Sequence, residues 1–309
     1  MPAFALLFPG QGAQSVGMGK ELAEAFPAAK ARFEEADSIL GYSISKLCWE
    51  GPAEELTRTE HCQPALYVTS MAALAVLEPQ LPEKPAAAAG LSLGEYTALA
   101  AAGALSFADG LKLVRLRGQA MEDAARAQAG TMASVLGLEL EPLQAVCAET
   151  GAQVANLNSP GQIVISGSVE SVAAASAKAK EKGAKRVIPL EVGGAFHSRL
   201  MEPAAVRLEQ ALRSVTVSQP RYPVASNVTG VYHTGPEEIR KLLVRQLTEP
   251  VQWIACVQAM AKAGIKSYIE AGSGTVLKGL VRKIDAEATV HSAGIPDEIR
   301  QLALTNQTG

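Results

Sequence analysis

A Gly-x-Ser-x-Gly pattern at Gly90-Leu91-Ser92-Leu93-Gly94 lies between a run of small residues and an apolar stretch with helical character. The two glycines permit a tight turn from a strand into a helix, and such a turn pushes the serine Oγ outward. The dipole and the first amides of the following helix would stabilise an oxyanion at this point. The pattern therefore predicts that Ser92 is the nucleophile of an acyl-transfer reaction.

A serine nucleophile requires a base, and His197 is the best candidate among the four histidines. It follows two glycines at an irregular point between a predicted strand and a predicted helix, where functional side chains tend to be presented. His61 and His291 belong to polar stretches and are expected at the surface, while His233 belongs to a turn-like segment. No acidic residue follows Ser92 in the order that α/β-hydrolases use. We therefore expect a Ser–His dyad whose imidazole is held by a backbone or amide oxygen.

Arg117 lies at the centre of the apolar face of an amphipathic helix, which the sequence predicts over residues 107–127. This helix should begin after Ser106, because Ser106 and Asp109 have the spacing of a capping box. A guanidinium that faces the interior is costly unless an anion pairs with it, and its fork matches a carboxylate. Two interpretations stay open: an internal salt bridge, or a substrate that carries its own carboxylate.

The elements before these residues alternate between strands and helices. A strand is predicted at 3–8, a helix at about 18–37 and a second helix at about 62–80, followed by the strand and helix of the elbow at 85–104. Such alternation favours an α/β fold with a parallel sheet.

The order of elements changes to β-α-β-β-α-β within residues 128–196, and this order is that of a ferredoxin-like unit. We therefore predict an α/β protein with a larger α/β-hydrolase-like domain and an inserted smaller ferredoxin-like subdomain. The larger domain, with the parallel sheet, would comprise residues 1–127 and 197–309, and the subdomain residues 128–196.

The composition excludes several functional classes. The 309 residues are 48% hydrophobic and 19% charged, as in a soluble globular protein, and the net charge of −3 provides no general attraction for nucleic acid. The four histidines and four cysteines are scattered, so we expect no metal site and reduced, mostly buried cysteines. Neither a signal peptide nor an apolar run long enough to span a membrane is evident, which favours a cytoplasmic protein.

Two glycine-rich segments allow a different interpretation. The segment FPGQGAQS follows a strand and approximates a dinucleotide-binding fingerprint, but the third glycine is missing. The segment GSGTVLKG lacks the serine or threonine that follows the lysine of a phosphate-binding loop. A dinucleotide-binding module would therefore depend on an incomplete motif alone.

Seven motifs occur in order across residues 8–280, and they are FPGQGAQ, GLSLGEYTAL, LVRLRGQAM, ANLNSPGQIVISG, GAFHSRLM, QLTEPVQW and EAGSGTVLKGL. In this combination the chain resembles the malonyl-CoA:acyl carrier protein transacylases of dissociated fatty-acid synthesis. It is also similar to the acyltransferase domains of polyketide synthases.

The resemblance implies a role for each residue that matches the family pattern. The implied site residues are Ser92 as nucleophile, His197 as its base, Arg117 for the malonyl carboxylate, Gln11 and the backbone N–H of Leu93 as oxyanion hole, and Gln246, whose main-chain carbonyl would hold the imidazole. One position departs from the family: the residue before the nucleophile is commonly histidine, and here it is Leu91. Any role of that histidine is therefore absent.

The activity that the resemblance implies is a ping-pong transfer through a malonyl-serine ester. Malonyl-CoA would donate the malonyl group, and the phosphopantetheine thiol of acyl carrier protein would accept it, which supplies extender units for fatty-acid biosynthesis without a metal or cofactor. A polyketide-type carrier protein is the alternative acceptor. A serine thioesterase shares the elbow but explains neither the inward Arg117 nor the inserted subdomain. The acidic carrier protein is expected to dock on a local basic surface that includes Lys185 and Arg186.

Overall fold

The computed structural model describes residues 3–307, so residues 1–2 and 308–309 of the predicted larger domain lie outside the described residues. The described strands are, in chain order, β1 Phe4–Phe8, β2 Ala87–Gly90, β3 Gly130–Leu136, β4 Gln153–Ser159, β5 Gln162–Ser168, β6 Arg186–Pro189, β7 Ser267–Ala271 and β8 Thr289–Ala293. The described α-helices are α1 Lys20–Ala25, α2 Pro27–Leu40, α3 Ile44–Glu50, α4 Ala53–Thr57, α5 Thr59–Leu77, α6 Leu93–Ala101, α7 Phe107–Ala127, α8 Leu140–Thr150, α9 Val169–Glu181, α10 Glu202–Arg213, α11 Pro236–Arg245, α12 Trp253–Lys262, α13 Val276–Ile284 and α14 Pro296–Gln307.

A four-stranded parallel sheet with the order β2-β1-β7-β8 forms the centre of the larger part of the molecule. Every residue of β1 is buried, as expected for an inner strand of a parallel sheet that has helices on both faces. The elbow serine follows β2, at the carboxyl end of an edge strand of this sheet. The predicted α/β fold with a parallel sheet is confirmed.

A second sheet is antiparallel and has the order β4-β5-β3-β6. Its strands and the helices α8 and α9 follow one another as β-α-β-β-α-β, and this strand order is the ferredoxin-like one. The predicted ferredoxin-like unit is therefore confirmed. All four strands lie within residues 128–196, which supports the proposed division of the chain into a subdomain of these residues and a larger domain on either side.

The prediction of one continuous helix over about 18–37 is wrong, because α1 and α2 are separate helices that meet at Phe26 and Pro27. Proline disfavours the helical conformation of the residue before it, and Phe26 is extended with φ −134°. Pro27 then begins α2, where its missing N–H costs nothing. The second predicted helix corresponds to α5, and residues 78–80 continue it as a 3₁₀ turn.

Helix α7 has the predicted bounds, and its first turn has the predicted cap. The backbone N–H of Asp109 donates to Ser106 Oγ at 3.0 Å, so one of the unpaired amides of the helix start is satisfied. The helix packs against α5 and α10, and this packing buries the face that contains Arg117.

Candidate active site

The sharp turn between β2 and α6 depends on glycines on both sides of Ser92. A Cβ at Gly90 would lie 2.0 Å from the carbonyl group of Gly94, and a Cβ at Gly94 would lie 2.1 Å from the backbone oxygen of Phe8. The turn gives Ser92 a φ of +52°, a backbone conformation that residues other than glycine rarely adopt. Backbone strain of this kind persists where the surrounding contacts enforce it, and it presents Ser92 Oγ to the cavity described below.

His197 meets Ser92 from the other side of the site, with its Nε2 2.9 Å from Ser92 Oγ. The Nδ1–H of His197 donates to the main-chain oxygen of Gln246 at 2.7 Å. This bond keeps Nε2 free of its proton, so Nε2 accepts the hydrogen bond of the serine hydroxyl. His197 has a φ of +56°. Within residues 3–307, Ser92 and His197 are the only residues other than glycine with a positive φ.

Arg117 is 1% exposed and faces the interior, as the helical pattern predicts. Its Nη1 donates to Gln63 Oε1 at 2.7 Å, and its Nη2 donates to Ser92 Oγ and to Gln246 Oε1, both at 3.0 Å. These acceptors are all neutral. No carboxylate of the described chain lies within ion-pair distance of the guanidinium, so the internal salt bridge that the sequence left open is not formed.

Burial and the neighbouring cation both favour a neutral histidine. Removal from water lowers the pKa of His197 most, and the positive charge of Arg117 lowers it further, to about 4. The hydrogen bond to Gln246 acts in the opposite direction but is weaker. Burial likewise lowers the pKa of Arg117 from its usual value. His197 is therefore an unprotonated imidazole at neutral pH, as a general base must be.

A cavity of about 310 Å³ opens over the serine and extends between the two sheets. Its lining comprises Gln11, Gly12, Gln14, Thr57, Gln63, Leu91, Ser92, Leu93, Arg117, Met121, Met132, Asn156, Asn158, Val164, Leu190, Glu191, Val192, Phe196 and His197. Leu93 is the first residue of α6, so its backbone N–H has no partner within the helix. Gln11, in the segment after β1, lines the same cavity. The structure thus brings Ser92, His197, Arg117, Gln11 and Leu93 to one site.

Gln246 contributes more than the predicted main-chain carbonyl. Its side-chain Oε1 accepts from Arg117, while its Nε2 donates to the backbone oxygen of Ser92 at 3.0 Å and to Glu95 Oε2 at 2.6 Å. One residue at the end of α11 therefore contacts the base, the cation, and the backbone of the nucleophile.

The sequence did not single out three buried polar residues behind the elbow. Glu95 is fully buried, and its Oε1 accepts from His233 Nε2 at 2.8 Å. Asn227 is also fully buried, and its side chain contacts the backbone N–H of the nucleophile and the backbone oxygen of Gly90, two residues before it. His233, expected only in a turn, is buried beside Glu95. Asn227 and His233 are each more than a hundred residues from their partners in the elbow, Ser92 and Glu95, so local sequence patterns could not reveal these contacts.

Leu91, Lys185 and Arg186 have different positions relative to the site. Leu91 lines the cavity and packs partly on the apolar cluster behind the parallel sheet. Lys185 and Arg186 do not line the cavity; both are exposed at the start of β6. The chain runs from β6 into Leu190, Glu191 and Val192, which do line it.

Two other kinds of feature are absent from the described part of the chain. No group of three or more histidine, cysteine, aspartate or glutamate residues is arranged to hold a metal ion among residues 3–307. No helix described there combines the length and the apolar character needed to cross a membrane. The four cysteines are buried and unpaired with one another.

A serine on a strand-to-helix elbow, hydrogen-bonded to a histidine within an α/β fold, defines the class of serine acyl-transfer enzymes. Comparison with known proteins narrows the class. Residues 5–300 match the acyl transferase domain family, and the chain belongs to this family.

Individual relatives are similar to this chain over nearly its whole length. The malonyl CoA-acyl carrier protein transacylase of Bacillus subtilis is 47% identical over 304 residues, which cover 97% of this chain and 96% of the relative. The crystal structure of a malonyl-CoA:acyl carrier protein transacylase from Xanthomonas oryzae pv. oryzae has a TM-score of 0.95 and 43% identity, covering 99% of this chain and 98% of that one. A malonyl-transacylase in complex with a type II polyketide synthase acyl-carrier protein has a TM-score of 0.95 and 39% identity, covering 98% and 99%.

Proposed function

We propose that this acyltransferase moves a malonyl group from malonyl-CoA to the phosphopantetheine thiol of acyl carrier protein, through a malonyl ester of Ser92. The reaction requires no metal or cofactor, because the serine, the imidazole and the oxyanion donors supply the chemistry. Relatives with the name malonyl CoA-acyl carrier protein transacylase support the substrates, and fatty-acid extender supply is the proposed role. A cytoplasmic location is part of the same proposal.

In the first half of the reaction, Ser92 Oγ attacks the thioester carbonyl carbon of malonyl-CoA while His197 Nε2 takes the hydroxyl proton. The negative charge develops on the carbonyl oxygen, which would face the N–H of Leu93 and Gln11. Collapse of this intermediate breaks the carbon–sulfur bond, and the protonated His197 returns the proton to the leaving thiolate of CoA. The products are free CoA and the malonyl-serine ester.

The second half reverses these steps with a different thiol. His197 takes the proton of the phosphopantetheine thiol, whose sulfur attacks the ester carbonyl carbon. Ser92 Oγ then leaves and recovers its proton from His197. The main-chain oxygen of Gln246 holds the imidazole throughout at its Nδ1–H, 2.7 Å away, in place of the acid of a triad.

The observation that carries the proposal is a buried guanidinium next to the nucleophile that has no anionic partner among the described residues. Arg117 Nη2 lies 3.0 Å from Ser92 Oγ. In a malonyl ester, the carboxylate carbon is only three covalent bonds from Oγ, so the carboxylate lies within reach of Arg117. An acyl group that carries a carboxylate would complete the ion pair, and charge-assisted contacts of this kind are stronger than those to neutral acceptors. An acetyl group would leave the cation unpaired.

The test uses malonyl-CoA, holo-acyl carrier protein and intact-protein mass spectrometry. We expect the wild-type protein to gain one malonyl group and to pass it to the carrier protein, with little free malonate. Ser92→Ala should form no adduct, and His197→Ala should form it more slowly by several orders of magnitude.

Three results would contradict the proposal. A malonyl adduct that persists in Ser92→Ala would remove Ser92 from the mechanism. Release of malonate without a loaded carrier protein would indicate a thioesterase. Absence of any turnover by the wild-type protein would exclude malonyl-CoA as the donor. A comparison of carrier proteins from fatty-acid and polyketide synthesis distinguishes the two acceptors.

A further inference from the structure

The side chain of Asn227 spans the nucleophile elbow from behind. Its Oδ1 accepts the backbone N–H of Ser92 at 2.6 Å, and its Nδ2 donates to the backbone oxygen of Gly90 at 2.8 Å. The carboxamide thus connects the end of β2 to the nucleophile through its acceptor and its donor. Asn227 is fully buried and does not line the cavity, so it does not contact substrate.

The orientation of this carboxamide is fixed by what surrounds it. Only an acceptor can face the N–H of Ser92, and only a donor can face the oxygen of Gly90. The backbone N–H of Asn227 donates to Glu95 Oε2 at 3.1 Å, which ties the residue to the first turn of α6. Glu95 in turn receives hydrogen bonds from Gln246 and His233. Asn227 is therefore placed by a buried network rather than by its own rotamer preference.

The elbow needs such support because Ser92 has a φ of +52°. A residue with a side chain relaxes from this region unless its surroundings enforce the conformation. The two glycines make the turn sterically feasible, and the N–H of Gly94 donates to the backbone oxygen of Leu91 at 2.9 Å, but neither glycine forms a bond to the N–H of Ser92. The hydrogen bond from Ser92 N–H to Asn227 provides one at the strained residue itself.

We propose that Asn227 is a positioning residue that clamps the backbone of Ser92 in the strained conformation needed for attack. The proposal rests on the role of Ser92 as nucleophile, which is part of the proposed function, but not on the identity of the acyl group. The contact between Asn227 and Ser92 also explains which backbone amide would donate to the oxyanion. The N–H of Ser92 is engaged by Asn227, so the N–H of Leu93 remains as the amide of the elbow that faces the cavity.

The decisive variant is Asn227→Leu, which keeps the number and branching of the side-chain heavy atoms and removes both hydrogen bonds. Asn227→Ser is measured in parallel, because it is a smaller change and its hydroxyl is too short to reach both Gly90 and Ser92. We expect the rate constant for malonyl-serine formation to fall about 100-fold in Asn227→Leu, since small displacements of reacting atoms have effects of this size. The KM for malonyl-CoA and the malonyl-to-acetyl preference should not change, because Arg117 keeps its contacts with Gln63 and Gln246.

A control variant separates positioning from a general loss of stability. Glu270 is another fully buried polar residue, and its carboxylate accepts the backbone N–H groups of Leu277 and Lys278 at 2.9 and 2.8 Å, away from the cavity. Glu270→Gln should lower the melting temperature without changing the acylation rate of the folded protein. A second readout, the rate of Ser92 labelling by phenylmethanesulfonyl fluoride, needs no malonyl-CoA and should fall in the Asn227 variants as well.

A result that refutes the positioning role of Asn227 can be distinguished from a result that refutes the proposed function. If the wild-type protein is labelled at Ser92 by phenylmethanesulfonyl fluoride but never by malonyl-CoA, the proposed substrate is wrong and the clamp is still tested by the labelling rate. If Asn227→Leu or Asn227→Ser folds and has wild-type acylation and labelling rates, the proposal that Asn227 positions Ser92 is overturned. A change in KM or in the malonyl-to-acetyl preference at an unchanged rate constant would also overturn it.

Discussion

Arg117 Nη2 donates a hydrogen bond to Ser92 Oγ at 3.0 Å, so a buried cation lies directly against the nucleophile. This contact has two consequences. The guanidinium is within reach of a carboxylate on an acyl group attached to Ser92, and its charge also lowers the pKa of His197. The same side chain therefore affects which acyl group is favoured and in which protonation state the base is found.

The first prediction concerns acyl selectivity. Arg117→Ala should lose most of its malonyl transfer and still permit acetyl transfer, so that the malonyl-to-acetyl ratio of kcat/KM falls or inverts. The wild-type protein gains a charge-assisted contact with malonyl, whereas acetyl leaves a buried cation unpaired, at a cost of roughly several kcal/mol. The substitution removes both the gain and the cost. The measurement is kcat/KM for malonyl-CoA and acetyl-CoA.

Arg117→Lys is the matched variant for this prediction. An ammonium keeps the charge but loses the planar fork, and it cannot donate to Gln63 and Gln246 with the same geometry, so it should restore malonyl transfer only poorly. An unchanged selectivity ratio in folded Arg117→Ala would mean that the specificity has another source.

The second prediction concerns pH. A base with a pKa of about 4 is already unprotonated at pH values well below 7. The acylation rate should therefore rise with pH around this pKa and stay constant at higher pH. At a pH one unit below its usual pKa of about 6.5, an unperturbed histidine would be about nine-tenths protonated. Because Arg117 lowers the pKa of His197, Arg117→Ala should move the inflection to higher pH. Stopped-flow acylation with acetyl-CoA measures both profiles.

Burial is the larger cause of the low pKa of His197, so the inflection in Arg117→Ala should stay below that of a free histidine. An inflection near the free value in the wild-type protein would show that water reaches the imidazole more readily than its burial indicates.

The residues that form the first contacts of the site could be predicted from the sequence. The elbow is a local pattern, and the helical period alone places Arg117 on a buried face. The ferredoxin-like unit could also be predicted, because its strands and helices are regular and follow one another closely. Where a local rule competed with periodicity, as at Phe26 and Pro27, the local rule decided the structure.

The support behind the elbow could not be predicted from the sequence. Ser92 and Asn227 are 135 positions apart, and a single asparagine or glutamate has no periodic signal. Strand β7 contains the fully buried Glu270, which is explained only by its bonds to the first amides of α13. Such residues depend on tertiary contacts, and their roles follow from the structure alone.

The third prediction concerns the close approach of Gly94 to β1. A Cβ at this position would lie 2.1 Å from the backbone oxygen of Phe8, and neither backbone can move easily within the buried core. Gly94→Ala should therefore displace the elbow and abolish acylation, with a lower melting temperature. Gly193→Ala is the control, because a Cβ there meets no atom within 4 Å. Normal acylation by Gly94→Ala would show that the elbow tolerates a larger separation.

The fourth prediction concerns Leu91, which directly precedes the nucleophile and lines the cavity. Leu91→His should change the acylation rate only modestly, because the geometry of the elbow depends on Gly90 and Gly94 and on their contacts. The measurement is the rate of malonyl-serine formation at neutral pH. An increase of more than about tenfold, which corresponds to about 1.4 kcal/mol of transition-state stabilisation, would assign a catalytic contribution to a histidine at this position.

The last prediction concerns the docking of the carrier protein. Lys185 and Arg186 are exposed at the start of β6, and the chain continues from this strand into the lining of the cavity. Nearby Lys178 is engaged in an ion pair with Glu149, so it contributes less free positive charge. An acidic carrier protein that docks beside β6 would bring its phosphopantetheine arm to the cavity that contains Ser92. Complementary charges of this kind mainly increase the rate of encounter, and salt screens them.

Lys185→Glu combined with Arg186→Glu should therefore raise the KM for the carrier protein and leave the KM for malonyl-CoA unchanged. The difference from the wild-type protein should shrink as the ionic strength increases, because screening weakens attraction and repulsion alike. Lys112→Glu with Lys262→Glu makes the same change in net charge at exposed positions that do not line the cavity, and should leave both KM values unchanged. Equal effects of the two double variants would show that only net charge matters. An unchanged KM for the carrier protein in Lys185→Glu with Arg186→Glu would place docking on another surface.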